Sequence, residues 1–600
     1  MIYSSKYKDD KISFDLSKYK SIYTADFETS TPEWNVDKAR VWLWDICDEK
    51  LNHTNGTDIF SFFFEIMKPK YNDTIIGFRN IGFDGFYILN FLLENGFKWH
   101  EKLPKQAFTF STVITDMGLH YVYRIRFQDT VVTLFDTFKH FHQSIKKSAE
   151  TYGLPIEKGK IDYKQFREEG HEPTEEELKY IHNDTEIDMR CLLIDMEQNM
   201  TQITQTGNCK KLLKKKLLDF KVLFPQLEEF EDTFCRKAYR GGFTYLNKKH
   251  FNKDIKHMIS LDINSMYPAQ MLHAPMPIGY PLYGRGCYKD CKFKKYNLFI
   301  QRITCMFELK ENGIPTISKR SFKTHSSDLY LTSSGDNVYE LYLSSPDLEL
   351  FFSNYNAYFL EYIDYLAFES VCGKEINEKD IKHMTKIEAI KHDGVGSIFY
   401  DYLLPLRITK ETSEGAVRDN AKRMQNIVYG AFATSPKGDI SEPYLNEKGL
   451  LSFKHHNGDK RKTMYIPVAV FITAWSRKFL IDSIKKVQDR FVYCDTDSLY
   501  LLGWEKPDLP IHNSIYGKFK IEHIILKARF LGPKRYIYFA RTPKDSKIKK
   551  EVACCGATSE IKKQMCFANF SPNQAFEGKL QNKTVLGGKH LVETTYKLKI

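Results

Sequence analysis

Two aspartates, Asp495 and Asp497, stand two residues apart inside an apolar and aromatic run from Phe491 to Leu499. Such a run reads as a buried strand, and alternation along a strand turns both carboxylates to one face. Unpaired buried carboxylates are costly, so this face calls for cations, and hard oxygen ligands suit Mg²⁺ in phosphoryl-transfer sites. A solvated hairpin tip is the bland alternative for one such pair. A third carboxylate, Asp262, follows the apolar strand Met258-Ile259-Ser260-Leu261, and Tyr267-Pro268 end the turn after it. Beside Asp495 and Asp497 it would complete a two-metal site for phosphoryl chemistry. A helix read over 413–432 carries Arg418, Lys422, Asn426 and Tyr429 on one stripe. Its cations suit a triphosphate and Tyr429 a base or sugar; a polar surface helix is the alternative.

A second acidic group lies nearer the amino terminus. Asp26 and Glu28 share one face of the strand Thr24–Glu28, Asp84 precedes an apolar helix over 86–93, and Asp184 lies on a helix with Tyr180 one turn away. Thr174 and Glu177 form a capping box that opens this helix. Converging, the four acids would hold two metal ions for phosphodiester hydrolysis, with Tyr180 orienting the attacking water. Each acid alone reads better as a solvated surface residue.

The elements that must position these groups belong to a chain of 600 residues, too long for one core. Its hydrophobic content of 42% marks a folded protein. The 88 basic and 76 acidic residues leave +12, a modest excess that suits a polyanion without requiring one. Met1 to Asp15 is charged throughout and lacks the apolar core of a signal peptide. No run approaches the roughly 18 apolar residues of a membrane span. Cys287 and Cys291 are close, but no second pair follows at zinc-site spacing, so the twelve cysteines read as reduced thiols in a cytoplasm. Residues 273–397 read as loops and short strands, 444–453 as a hairpin around Asn446–Gly449, and the last stretch as short lysine-rich strands.

The motifs resemble those of family B DNA polymerases. Asp26-Phe27-Glu28-Thr29, Asn80-x-x-Phe83-Asp84 and Tyr180-x-x-x-Asp184 are similar to the three exonuclease motifs, and Lys158-Gly159-Lys160-Ile161 to a lysine motif of the protein-primed members. Asp262-x-x-Ser265-Met266-Tyr267-Pro268, Lys422-x-x-x-Asn426-x-x-Tyr429-Gly430, Tyr493-Cys494-Asp495-Thr496-Asp497-Ser498 and Lys534-Arg535-Tyr536 resemble polymerase motifs A, B, C and Lys-x-Tyr, in the family's order. The resemblance implies a multidomain α/β and α+β protein: an RNase H-like 3′→5′ exonuclease, then a right-hand polymerase of palm, fingers and thumb with two insertions. It makes Asp26, Glu28, Asp84 and Asp184 metal ligands, with Lys158 and Tyr180 assisting. Asn80, Phe83, Thr137 and Phe138 would hold single-stranded DNA, although the family usually has Leu at the position of Phe138. Asp262 and Asp497 would be the principal polymerase ligands, two Mg²⁺ (or Mn²⁺) per site, with Asp495 supporting. Tyr267 would exclude a ribose 2′-hydroxyl, Arg418, Lys422, Asn426 and Tyr429 would bind the dNTP, and Lys534 and Tyr536 would meet the primer. Tyr239, Gly241 and Gly242 resemble the Tyr-x-Gly-Gly loop that approaches DNA.

Two features resemble the protein-primed phage branch, whose primer is a hydroxyl of a terminal protein. One is the insertion with Ile300–Lys310 and Ile314–Ile317; the other is the hairpin at 436–459. The implied partition is exonuclease 1–205, palm 206–272 and 461–553, first terminal-protein region 273–397, fingers 398–433, second terminal-protein region 434–460 and thumb 554–600. Residues 374–395 and a short amino-terminal extension are additional, and the region between Tyr536 and Cys554 is shorter. The expectation is a monomeric DNA polymerase with proofreading, in an infected cell's cytoplasm, copying a linear phage genome by protein-primed, strand-displacing synthesis. A nucleic-acid-primed relative, an inactive DNA-binding scaffold and a nuclease with a vestigial second half are the alternatives.

Overall fold

The computed structural model describes residues 13–30, 38–159, 161–162, 165–167, 170–319, 329–381 and 383–599. Lys160 and residues 1–12 of the charged amino-terminal segment fall outside them.

Strands β1 (Ile22–Thr29), β2 (Val41–Asp48), β3 (His53–Gly56), β4 (Thr74–Phe78), β5 (Lys98–Trp99), β6 (Thr109–Ile114), β7 (His120–Arg126) and β8 (Val131–Asp136) form one mixed sheet. Its order is β3-β2-β1-β4-β8-β7-β6-β5, with β1 parallel to β4 and β4 to β8. In β1, Ala25 and Phe27 enter the core and leave Asp26 and Glu28 to the other face. Helix α1 (Ile81–Glu94) begins at Ile81, earlier than the apolar run indicated, which brings Asp84 into its first turn. Helix α2 (Glu175–Glu197) opens with the expected Thr174–Glu177 capping box and packs on β1 and β2.

The second large sheet joins β9 (Thr244–Leu246), β10 (Ile255–Ile263), β11 (Phe491–Asp495), β12 (Ser498–Leu502), β13 (Phe519–Gly532), β14 (Arg535–Arg541) and β15 (Lys549–Cys554) in the order β15-β14-β13-β10-β12-β11-β9. The central strand β10 pairs Asp262 with Ser498 on one side and Lys520 on the other. After β10 the chain turns at Ser265, whose φ is 46°, and enters helix α3 (Met266–His273) at once. Tyr267-Pro268 therefore lie inside a helix and do not end a turn. Proline is tolerated there because the first backbone N–H groups of a helix have no partner to lose.

Helices α4 (Tyr400–Thr412), α5 (Gly415–Phe432) and α6 (Ile466–Lys486) pack against α3 in the largest core. Within the almost wholly buried α6, Arg477 pairs with buried Asp347 (Nε–Oδ1 3.0 Å, Nη2–Oδ2 2.7 Å). It also donates to the carbonyls of Arg240 and Gly241 at 2.7 and 2.8 Å. The Tyr239–Gly242 loop is thus anchored from beneath by one guanidinium.

Two expectations of short strands are corrected. The region 273–397 contains a sheet whose strands Tyr296–Leu309 and Tyr355–Val371 run 14 and 17 residues. The many tyrosines of these strands suit them, because aromatic side chains favour the pleated surface. The carboxyl-terminal stretch holds β13 of 14 residues, a hairpin of Ala575–Val585 and Gly588–Lys597, and the helix Ser559–Gln564. The hairpin near 444–453 is present as Ile440–Leu445 and Leu451–His456. Among the described residues no helix is long and apolar enough to cross a membrane.

Replacing Arg477 by Leu leaves the Asp347 charge buried without its partner and should cost about 3–5 kcal/mol. Thermal unfolding should show that loss, and the double change Arg477→Leu with Asp347→Leu should recover most of it. An equally unstable double variant would show that the pair itself, not the orphaned charge, carries the stability.

Candidate active sites

Asp26, Glu28, Asp84 and Asp184 line one cavity of about 730 Å³, together with Asn80, Phe83, Phe138, Lys158 and Tyr180. Burial is the first cause that pushes the Asp26 carboxyl up to about 8, and the charge of Asp184 adds to it. Burial and Asp26 likewise raise Glu28 and Asp84. Asp184 is raised by burial against the opposing pull of Lys158, whose Nζ lies 2.7 Å from Oδ2. The other oxygen of Asp184 is buried and accepts no hydrogen bond. One lysine cannot neutralise four acids, so the donor set, all carboxylate oxygen with an unused acceptor, fits hard dications.

Thr137 does not reach this cavity. It is wholly buried, and its hydroxyl donates to Asp188 at 2.6 Å. Arg79 grips the same Asp188 with Nε 3.0 Å from Oδ1, locking α2 one turn beyond Asp184. Asp136, at the end of β8, accepts from the backbone of Asn80 (3.0 Å) and Phe138 (2.9 Å) and so seats both residues. Sequence reasoning missed these supports. It also missed Asn582 and Leu591, which line the cavity from the carboxyl-terminal hairpin; no local signal announces a contact so distant along the chain.

Asp262 and Asp497 line a second cavity of about 620 Å³ with Tyr267, Arg418, Lys422, Asn426 and Tyr429. Burial, then the charge of Asp262, raises Asp497 to about 6. Lys520, the cross-strand partner of Asp262 on β13, places Nζ 2.8 Å from its Oδ2. The Tyr267 and Tyr429 rings meet at 4.2 Å between centroids, and Lys410 of α4 adds a half-buried cation beside Ser265. Lys410 and Lys520 were not singled out from sequence, although Lys410 falls two turns before the Arg418 stripe.

The expected common face for Asp495 and Asp497 is not found. β11 ends at Asp495, Thr496 takes a left-handed φ of 61°, and Asp497 lies in the turn. Alternation stops where the strand stops, so the two acids diverge. Asp495 instead accepts from Thr244 Oγ1 at 2.9 Å and pairs with Lys534 Nζ at 2.9 Å. Tyr536 belongs to an aromatic cluster with Tyr500 and Tyr538. Neither Lys534 nor Tyr536 lines the cavity, nor do Tyr239, Gly241 and Gly242. Gly242 has a local reason to be glycine: a Cβ there would meet the Thr496 side chain at 2.7 Å.

The chain matches the family described as DNA polymerase type B, organellar and viral, over residues 65–174 and 165–516. It is 34% identical to the DNA polymerase of Bacillus phage Nf, over 97% of this chain and 100% of that protein. The DNA polymerase of Bacillus phage phi29 is also 34% identical, over 97% and 99%, and that of Streptococcus phage Cp-1 is 32% identical over 96% and 98%. The solved phi29 DNA polymerase complexed with single-stranded DNA superposes with a TM-score of 0.87 at 33% identity, covering 96% of this chain and 100% of that one. Its ternary complex with primer-template DNA and incoming nucleotide gives 0.86 with the same coverage. The multidomain α/β and α+β class expected from sequence is therefore the observed one.

The raised carboxyl of Asp26 has a thermodynamic consequence. Its folded pKa lies above the unfolded one, so the folded chain holds that proton more tightly, and stability falls as pH rises from about 4 towards about 8. In chelator at pH 8, Asp26→Asn should unfold about 1 °C higher than the parent if it relieves roughly 1 kcal/mol in a chain of 600 residues. The difference should shrink towards pH 4, and Mg²⁺ should stabilise the parent more than the variant. A parent no less stable than the variant at pH 8 would contradict the burial of uncompensated charge.

Proposed function

Because the chain belongs to the organellar and viral type B DNA polymerases, we propose that it is a DNA-directed DNA polymerase with a 3′→5′ proofreading exonuclease. The observation that carries this reading is the second cavity. Two carboxylates far apart in sequence but carried by neighbouring strands face a stripe of cations, and a tyrosine pair closes one side. The proposed partition is exonuclease 1–205, palm 206–272 and 461–553, fingers 398–433 and thumb 554–600.

Asp262 and Asp497 would hold Mg²⁺ for synthesis, with Asp495 supporting from the other side of the turn, and Asp26, Glu28, Asp84 and Asp184 for hydrolysis. When bound, the ions lower the pKa of an attacking hydroxyl or water and stabilise the leaving oxygen. The chain's own groups do the rest. Lys410, Arg418 and Lys422 attract the triphosphate into the cavity and neutralise it. Asn426 and Tyr429 would lie alongside base or sugar, and Tyr267 would exclude a ribose 2′-hydroxyl. Lys534, 62% exposed and already on Asp495, is available to a primer-strand phosphate. In the first cavity Asn80, Phe83 and Phe138 would grip a frayed strand, partly by base stacking. Lys158 and Tyr180 would orient the water and steady developing charge.

Protein priming and strand displacement are the finer proposal. They rest on the long sheet within 273–397, the hairpin at 440–456, and the likeness to Bacillus phage polymerases. Primer-template DNA, dNTPs and a terminal protein are the proposed partners of a monomer working in the cytoplasm of an infected cell.

Asp497→Asn should lower primer extension about a thousandfold or more, the equivalent of several kcal/mol of lost charge stabilisation, while single-strand degradation persists. Asp26→Ala with Asp84→Ala should do the reverse. Parallel loss of both activities in either variant, with folding intact, would refute the two-site assignment. For priming, a labelled deoxynucleotide should become covalently attached to the cognate terminal protein. Extension of nucleic-acid primers alone would assign the chain to a different branch.

A further inference from the structure

Three residues of the first domain-sized region that line neither cavity come together beside β1, under α2: Asp45 on β2, His53 on β3 and His182 on α2. One donor atom from each lies within 4.8 Å of the others, and the two imidazoles stack with centroids 4.2 Å apart. Asp45 is wholly buried, but its two oxygens differ. Oδ2 accepts from His53 Nδ1 at 2.8 Å and from Thr185 Oγ1 at 2.5 Å. Oδ1 accepts no hydrogen bond and lies 3.5 Å from His182 Nε2. A buried acceptor left unused costs about 1–3 kcal/mol, so this atom needs a reason.

We propose that Asp45, His53 and His182 form a binding site for a zinc-type divalent cation that ties β2 and β3 to α2. Tetrahedral zinc with bonds of about 2.0–2.2 Å sets neighbouring donors roughly 3.3–3.6 Å apart, the separation already found between Asp45 Oδ1 and His182 Nε2. Two imidazoles and one carboxylate select Zn²⁺, Co²⁺ or Fe²⁺ over Mg²⁺, in contrast to the all-oxygen sets of the two cavities. A fourth position stays open to water. The outer groups are also at hand. Thr185 fixes the carboxylate, and Glu186 Oε2, 3.9 Å from His53 Nε2, can take that ring's second proton when Nδ1 binds metal. Coordination displaces the proton now shared between His53 Nδ1 and Asp45 Oδ2. Burial alone would depress the His53 pKa, but the hydrogen bond and charge of Asp45 outweigh it and raise it, so binding is favoured at alkaline pH. The site's place gives it a structural role. Asp45 is the cross-strand partner of Asp26, and His182 precedes Asp184 on the same helix by two residues. An ion there would fix the spacing of two elements that carry the nuclease carboxylates, without touching substrate.

The test is a titration of the chelator-stripped full chain with Co²⁺ at pH 8, in excess Mg²⁺ to fill the all-oxygen sites. One equivalent should bind with the intense visible bands of four-coordinate cobalt, be displaced by Zn²⁺, and raise the unfolding temperature with metal concentration. His182→Gln, at a partly exposed position, should weaken that equivalent at least about tenfold while keeping the metal-free unfolding temperature; His53→Gln should weaken it as much, and its loss of the hydrogen bond to buried Asp45 is read separately from the metal-free chain. Absence of the tetrahedral signal, or the same uptake in both variants, would leave only a hydrogen-bonded histidine–aspartate pair and overturn the proposal.

Discussion

Like charges held a few ångströms apart in a half-dry cleft repel by several kcal/mol, about 4 for a pair at 4 Å and an effective dielectric near 20. Carboxylates that gather must therefore be forced together by something stiffer than their own side chains. Both clusters take their first acid from a strand with neighbours on either side: Asp26 from β1, between β2 and β4, and Asp262 from β10, between β12 and β13. Such strands cannot edge apart to relieve repulsion without losing ladder hydrogen bonds on two sides. Burial first, and then the neighbouring charge so held, raises the carboxyls of Asp26 and Asp497. Each cluster also has a single lysine on one of its acids, Lys158 on Asp184 and Lys520 on Asp262. In the first cavity one lysine is too little to neutralise four acids, and the remaining negative potential attracts cations; in the second, Arg418, Lys422 and Lys410 face the two aspartates and suit an anionic ligand as well.

The polymerase-side cluster depends further on a strained turn. A β-branched residue at positive φ is unfavourable, yet Thr496 adopts it and so separates Asp495 from Asp497. The strain is contained by packing. Gly242 offers the Thr496 side chain a bare backbone, the Thr496 amide donates to the carbonyl of Phe243 at 2.7 Å, and Arg477 holds the carbonyls of Arg240 and Gly241 from below. Arg477 itself is fixed by Asp347, from a helix in the 273–397 region. The turn that carries Asp497 is thus braced through a loop and an ion pair contributed by three separate stretches of chain.

What was legible in the sequence follows from this hierarchy. The acids, the capping box at Thr174 and the cation stripe on α5 were readable because they are local: a period, a cap, a spacing. Asp26 with Glu28 was read correctly as one face because β1 continues past both. Asp495 with Asp497 was misread because a two-residue turn interrupts the period, and Thr496 is a residue type that gives no warning of positive φ. Thr137 looked like a contact residue from its motif, whereas its burial follows from Arg79 and Asp188, which no motif announced. Lys520 reaches Asp262 only through the register of β13 on β10, a long-range pairing that composition does not contain.

The first cavity is a product of the whole chain rather than of its own sheet. Lys589, in the final hairpin, donates to the carbonyl of Gly82 at 3.0 Å and lies 3.2 Å from the centre of the Phe86 ring, in the first turns of α1 that carry Asp84. Burial lowers its pKa to about 8, a cost the chain accepts for a cation–π contact in a partly dry interface. Leu586 of the same hairpin bridges to Lys38, and its side chain comes within 3.0 Å of where a Cβ on Gly449 would lie, in the turn of the 440–456 hairpin. That second hairpin packs in turn on the first sheet through Ser441, which donates to Thr115, and through Phe453 against Phe86. Two hairpins far apart in sequence therefore meet each other and both meet the amino-terminal sheet. Displacing either one would disturb α1 and its aspartate. The geometry of that cavity therefore depends on packing supplied by two segments far along the chain from its own sheet.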